Sequence, residues 1–300
     1  MQEPLAPSQP VLDAFRIQHP LQRLPGGRGL CFLAGDTVLR PVDNAVEEEW
    51  VCGLLLKLTA LSNPLYRVAT PLQIDNSSFS PPSSQFIASG WTASSFLPGK
   101  DGPKTKWHQL LNASRAFHRD LKGLVQEPPA FISARTNRWS EADRITWEEQ
   151  KLEETLEVNQ DVLKKISGYL GRLEVLKEPL SYHTLVSQLI HADLTGNVRF
   201  DVNDQGLSPA IIDLSLYWRP VEYAEAIVVA DGLVWYGEGP ELIHLYGADS
   251  FRLQILLRAL YWRILTFAIQ SDLQWIDKYL PGMDFEKAVK MLSESIANAK

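Results

Sequence analysis

The stretch Val186–Leu214, VSQLIHADLTGNVRFDVNDQGLSPAIIDL, constrains this chain more than any other. Two apolar runs, Val186–Ile190 and Val198–Phe200, flank the polar loop HADLTGN, and a third, Ala210–Ile212, follows NDQG and ends in Asp213. Runs this short and β-branched, bounded by Asn, Asp, Gly and Pro, read as strands and turns. If the last two runs form a hairpin, its turn centres near Gln205. Antiparallel pairing then sets Asn197 beside Asp213, with Asp193 a few residues back in the loop.

An amide oxygen next to a carboxylate at two strand ends is a hard-oxygen pair. It suits Mg²⁺, which takes few protein oxygens and leaves its other positions to water and phosphate. Asp193 is then placed to accept a proton from a hydroxyl. These are the parts of phosphoryl transfer in protein-kinase-like enzymes: a loop aspartate, a metal-binding asparagine and a second metal-binding aspartate at a later strand end. An Asn/Asp-rich hairpin without chemistry is the plainer reading, and the ordered set His191, Asp193, Asn197, hairpin, Asp213 argues against it. His191 reads as a buried scaffold residue, not a base. No Ser-His-Asp constellation or carboxylate pair points to hydrolysis.

HADLTGN followed by AIIDLS resembles the aminoglycoside phosphotransferase and choline-kinase-like family, whose usual form is H-G-D-x-x-x-x-N and then I-D-F or I-D-W. The longer run PAIIDLSLYWRPVEYAEAIVVADGLVW is similar to a branch of that family best known from actinobacteria, and the similarity extends from about Leu24 to the C-terminus. Ala192 stands for the usual Gly, the Asp-to-Asn spacing is one residue short, and Leu214 replaces an aromatic. The resemblance implies an α+β, bilobal protein-kinase-like fold, a small β-rich lobe over a larger helical one. It implies ATP and Mg²⁺ in the cleft and a small-molecule hydroxyl as acceptor.

The rest of the chain fits that frame. Residues 1–14, rich in Pro and Gln, read as a loose lead-in. Gly26-Gly27-Arg28-Gly29 is a turn whose N–H groups can cradle phosphate oxygens, with Arg28 adding charge. A tight Gly35-Asp36 turn joins Leu30–Ala34 to Thr37–Val42. The second of these strands carries Arg40 where kinase-like folds place a phosphate-holding lysine; arginine does the electrostatic work with a different reach. Asn44–Ser62 is helical, with Val46, Trp50, Leu54, Leu58 and Leu61 at three- to four-residue spacing. By resemblance Glu47 on that helix is the Arg40 partner. Strand-like runs at Tyr66–Ile74 and Gln85–Trp91 complete the nucleotide-binding lobe, residues 1–95. The hinge follows at Gly90–Pro98, and residues 96–300 form the helical lobe.

Helices dominate after the hinge. His118-Arg119-Asp120-Leu121-Lys122 spells a protein-kinase catalytic loop, but on the helical segment Lys104–Leu124 residues two apart face about 200° from each other. No Asn follows at the required offset, so the match is a coincidence. Glu222–Tyr236 is apolar on several faces and reads as a buried helix. Asp231 within it is expensive to bury unpaired and reads as a support for the catalytic-loop backbone.

Composition closes off other classes. A net charge of −7 and no basic run exclude an electrostatic nucleic-acid binder. No basic-then-apolar leader begins the chain and no run of about 18 apolar residues occurs, so neither a secretory signal nor a transmembrane helix is expected. Cys31 and Cys52 form no disulfide framework or zinc spacing; a cytoplasmic protein is the expectation. The functional expectation is an ATP-dependent phosphotransferase. The alternative is a nucleotide-binding pseudoenzyme or partner-binding module on the same fold, favoured by Arg40 and the short loop and opposed by retention of Asp193, Asn197 and Asp213.

Overall fold

The computed structural model describes residues 6–25, 29–74, 84–155, 157–180, 185–203, 205–270 and 272–299. The chain opens with helix α1 (Gln9–Ala14), started by a proline in its first turn. Pro has no N–H to lose at that position and its φ already suits a helix. Val11 and Ala14 of this helix, with Phe15 and Ile17 after it, are buried against Ala34, Leu39, Ile74, Ala88 and Ala93. The described part of the expected loose lead-in is therefore core. Its apolar spacing is too short to register as a helix by periodicity alone.

Strands β1 (Gln22–Arg23), β2 (Phe32–Ala34) and β3 (Thr37–Pro41) follow. The two-residue turn between β2 and β3 pairs Ala34 with Thr37, and Gly35 takes φ +61° there. A Cβ at Gly35 would sit 2.7 Å from the His19 ring, so both conformation and space demand glycine. Helix α2 (Ala45–Leu61) begins where the Asn44 side chain accepts the Val46 and Glu47 N–H groups. Strands β4 (Arg67–Val68), β5 (Trp91–Ser95) and β6 (Lys100–Asp101) come next. Strand β5 lies inside the segment expected to be hinge, because Trp91–Ser95 pairs along β3.

Helices α3 (Trp107–Leu124), α4 (Ala130–Ala134), α5 (Arg138–Thr146) and α6 (Gln160–Leu176) lead to strands β7 (Ser187–His191), β8 (Val198–Phe200), β9 (Ala210–Ile211) and β10 (Leu216–Pro220). Helices α7 (Val221–Trp235), α8 (Pro240–Tyr246), α9 (Ser250–Ala268), α10 (Leu273–Tyr279) and α11 (Phe285–Asn298) end the chain.

Contacts divide the chain into two compact units. The first runs to Asp101 and takes back Val198–Asp213. It holds an antiparallel sheet in the order β1-β2-β3-β5 and a second sheet, β4-β9-β8-β6, in which only β4 and β9 run parallel. The second unit is Gly102–Asn197 with Leu214 onward. It is helical apart from the antiparallel pair β7–β10. The sequence expectation had one boundary, at 95/96; the observed division falls after Asp101, and the β8–β9 hairpin rejoins the β-rich unit through main-chain pairing to β4 and β6.

Within the helical unit, α7 is buried along nearly its whole length and packs on α9, which is apolar on most faces. Helices of this kind are core elements. Gly232 marks the close approach of α7 to its neighbours, since a Cβ there would lie 2.2 Å from Leu242.

Candidate active site

Asp193 and Asn197 lie in the loop that leaves β7. The Asn197 amide nitrogen donates to the Asp193 backbone carbonyl at 2.7 Å and to its Oδ2 at 3.0 Å. Both bonds use the amide N–H₂, so Oδ1 of Asn197 is the end left for a cation. The loop is also pinned from behind. Nδ1 of His191 accepts from the Ser215 N–H at 3.1 Å and faces the Asp193 N–H at 3.4 Å. The Nδ1 lone pair is taken by main-chain N–H groups and is not free to accept a substrate proton, so His191 is a scaffold at this atom.

His118, set aside above as part of a chance motif, turns out to be structural. It is fully buried on α3. Its Nδ1 lies 2.8 Å from the Ser114 carbonyl and its Nε2 accepts the His191 N–H at 3.0 Å. Burial first, and His191 second, push its pKa down to about 3. The imidazole is neutral and ties α3 to the strand that presents Asp193.

The partner that sequence reasoning missed is Arg263 on α9. Its Nη2 donates to Asp193 Oδ1 at 3.0 Å and to Asp231 Oδ2 at 2.7 Å, while Nε reaches Asp231 Oδ1 at 2.6 Å. Burial works against the Arg263 charge, but Asp231 and Asp193 outweigh it and the pKa rises. Burial pushes the Asp231 carboxyl up, against the pull of the same guanidinium. Asp231 was expected to accept from the catalytic-loop backbone; instead it holds an arginine that reaches the loop aspartate's side chain. The available signal was Arg263 in a mainly apolar helix that also carries Arg252 and Arg258, since a buried charge must find a partner.

The β-rich unit carries the other candidates. Arg40 donates from Nη2 to both oxygens of Glu48 at 2.8 Å. The expected partner was Glu47, one residue earlier. A one-residue step on a helix is a turn of about 100°, and it is Glu48, only 8% exposed, that faces β3. Burial opposes the Arg40 charge, yet Glu48 and then Asp213 overcome it, so Asp213 lies within the electrostatic reach of Arg40. Asp213, two residues beyond β9, has φ +51°, a left-handed conformation that a non-glycine residue adopts at some cost. Among the described residues nothing donates to its carboxylate.

The hairpin pairs Val198 with Ile211 and Arg199 with Ala210. Its centre is thus half a residue earlier than the expected Gln205, and Val198 faces Ile211 instead of Ile212. Asn197 and Asp213 belong to different units. Gly29 has φ +65°, and its carbonyl accepts from Arg23 Nε at 2.7 Å. Gly26, Gly27 and Arg28 lie outside the described residues.

Comparisons with known proteins agree on the fold. No protein-family model matches the sequence, and no curated protein matches it. Solved structures do. An aminoglycoside phosphotransferase from Alicyclobacillus acidocaldarius is similar over 100% of this chain and 98% of its own, with TM-score 0.62 and 14% identity. The GDP complex of aminoglycoside 2'-phosphotransferase-IIIa covers 97% of both chains at TM-score 0.54 and 15% identity. A microcompartment-associated aminopropanol kinase matches 96% of this chain and 94% of its own at TM-score 0.52 and 13% identity. The chain has the α+β, kinase-like fold of these proteins, which are the kind its catalytic-loop motif resembles. Among the described residues no helix is long and apolar enough to cross a membrane.

Proposed function

We propose that the protein transfers the γ-phosphate of ATP to a hydroxyl of a small molecule, with Mg²⁺. The observation that carries this reading is the contact between Asp193 and Asn197, which leaves one carboxylate edge for an acceptor and one amide oxygen for a cation. The fold it shares with a small-molecule kinase and aminoglycoside phosphotransferases supports it.

The residues fit a magnesium–nucleotide. Asn197 Oδ1 and the Asp213 carboxylate are hard oxygens, and so few protein ligands suit an ion that also takes phosphate and water. The metal–nucleotide would supply the phosphoryl group, and the cation would neutralise its charge. Asp193 orients the acceptor hydroxyl and takes its proton as the oxygen bonds to the γ-phosphorus and the bond to the bridging oxygen breaks. Gly26, Gly27, Arg28 and Gly29 cradle phosphate oxygens. Arg40 grips the phosphates, aimed by Glu48. Positioning and charge do most of the work in this chemistry.

A pseudoenzyme that binds nucleotide without turnover is the second reading. It is favoured by Arg40, whose Nη2 is already paired with both oxygens of Glu48. Thermal shift with ATP, with and without Mg²⁺, combined with ATP consumption over a panel of hydroxylated amines and sugars, separates the two. Metal-dependent binding with turnover supports the enzyme. Metal-independent binding with no turnover on any acceptor, water included, supports the pseudoenzyme.

A further inference from the structure

Arg263 is engaged on every side. Its guanidinium meets two carboxylates, Asp231 on α7 and Asp193 in the loop after β7. One face lies over the Trp262 ring at 4.5 Å, and the Trp139 ring is 5.8 Å away. The Trp262 indole N–H donates to the Trp139 carbonyl at 3.0 Å, which fixes the two rings. Trp139 in turn meets Arg138 at 4.2 Å on α5. The Arg263 side chain is 11% exposed and that of Asp231 3%, while Asp193 is 41% exposed. So two members of the trio are buried and the third reaches out.

That asymmetry decides the role. A bidentate arginine–carboxylate pair fixes orientation as well as charge. Asp231 takes two guanidinium bonds and Asp193 one, so Asp231 and the tryptophans set the plane of Arg263 whether or not Asp193 is engaged. Nη2, which already serves Asp231, also holds one oxygen of Asp193, and Asn197 holds the other. A carboxylate oxygen that accepts one bond keeps a second lone pair. The rotation of Asp193 is thus restricted without closing its outer edge. We infer that Arg263 is the positioning residue for Asp193, and that Asp231 exists to hold Arg263 rather than to touch the loop backbone. This rests on the phosphotransferase reading of Asp193, but the bracing itself can be tested without it.

Two variants are needed, because Arg263→Gln alone leaves Asp231 buried and uncompensated, which is costly. The double variant Arg263→Gln/Asp231→Asn removes both buried charges together. Arg263→Lys keeps the charge and reaches fewer acceptors. Three measurements are made on the full chain: Mg·ATP affinity by calorimetry, ATP turnover with water as acceptor, and hydrogen exchange of the backbone amides from Ala192 to Asn197. In the double variant the loop amides should exchange about tenfold or more faster, with α7 and α9 unchanged. Turnover should fall about 10–100-fold with affinity held within a factor of two, the expected penalty for a reacting group displaced by about an ångström. Arg263→Lys should recover part of both.

Wild-type turnover in a folded double variant, or in Arg263→Lys should the double variant not fold, together with unchanged loop exchange, overturns the inference. Equal losses of affinity and turnover overturn it as well, since they mark general damage. If the wild-type protein neither binds nor consumes ATP but its loop loosens as described, the proposed function fails and the bracing stands.

Discussion

The two acidic candidates, Asp193 and Asp213, are held in opposite ways. Asp193 sits in a loop of the helical unit that is backed by His191 and His118, with Arg263 on one oxygen and Asn197 on the other. Asp213 follows a two-residue strand of the β-rich unit, two residues on, in a left-handed conformation, and it acts electrostatically on an arginine already paired with Glu48. One carboxylate is held by protein donors; the other accepts from none among the described residues and, under the proposed function, is the one a ligand completes. A proton acceptor gains from being fixed before the reaction, because reorganisation during it is lost rate. A metal ligand has to accommodate an ion whose remaining positions are water and phosphate.

The comparison breaks first if Asp193→Asn is harmless. That substitution keeps the side chain's shape and one acceptor oxygen, enough for Arg263 or Asn197 but not both, and removes the proton acceptor, so transfer should drop by about 10²–10⁴-fold with ATP binding nearly intact. Equal loss of binding, read by calorimetry, would make Asp193 a structural residue.

The preorganised side also carries a pH signature. His118 is neutral when folded, with its pKa pushed down from 6.5 to about 3. Below pH 6.5 the unfolded chain binds more protons, so stability is full above that pH and falls as pH drops toward 3. The slope from this residue is about 1.4 kcal/mol per pH unit. Urea midpoints that stay flat from pH 6.5 to 4.5 would mean that Nε2 does not accept from His191.

A smaller effect sharpens the other half. Asp213→Asn tolerates the same backbone angle and removes one charge, so it should weaken Mg²⁺-dependent ATP binding roughly 10–100-fold, two decades being about 2.7 kcal/mol, and leave metal-free binding alone. Survival of the full metal dependence detaches Asp213 from the site. The smallest contrast lies on α2. Glu48→Gln should weaken ATP binding by up to about tenfold by freeing Arg40, worth about one to two kcal/mol for a charged hydrogen bond discounted for the 42% exposure of Arg40. Glu47→Gln should change it little.

These contrasts show where the sequence was legible. The contact of Asn197 with Asp193 joins neighbours in one short loop, within reach of local spacing, and the Gly35-Asp36 turn announced its hairpin. What was lost depended on angle or distance along the chain. Glu47 and Glu48 are chemically identical and differ only in which way α2 faces β3. The hairpin register differs by one residue because Asn, Asp and Gly permit turns of several lengths. Arg263 lies 70 positions from Asp193, on a helix whose pattern says only that it is buried. Asp231 was recognised as a costly residue, yet its partner could be found only by folding the chain.

The short N-terminal helix α1 has a practical consequence. Because Val11, Ala14, Phe15 and Ile17 pack on the apolar side of the β-rich unit's sheet, a protease nick or a trimmed version beginning at Leu21 would uncover Leu39 on the strand that carries Arg40 and Ala93 on the strand paired with it. Under the proposed function such a shortened protein would lose nucleotide affinity with its helical half intact, and the loss would trace to a missing plug and not to the site.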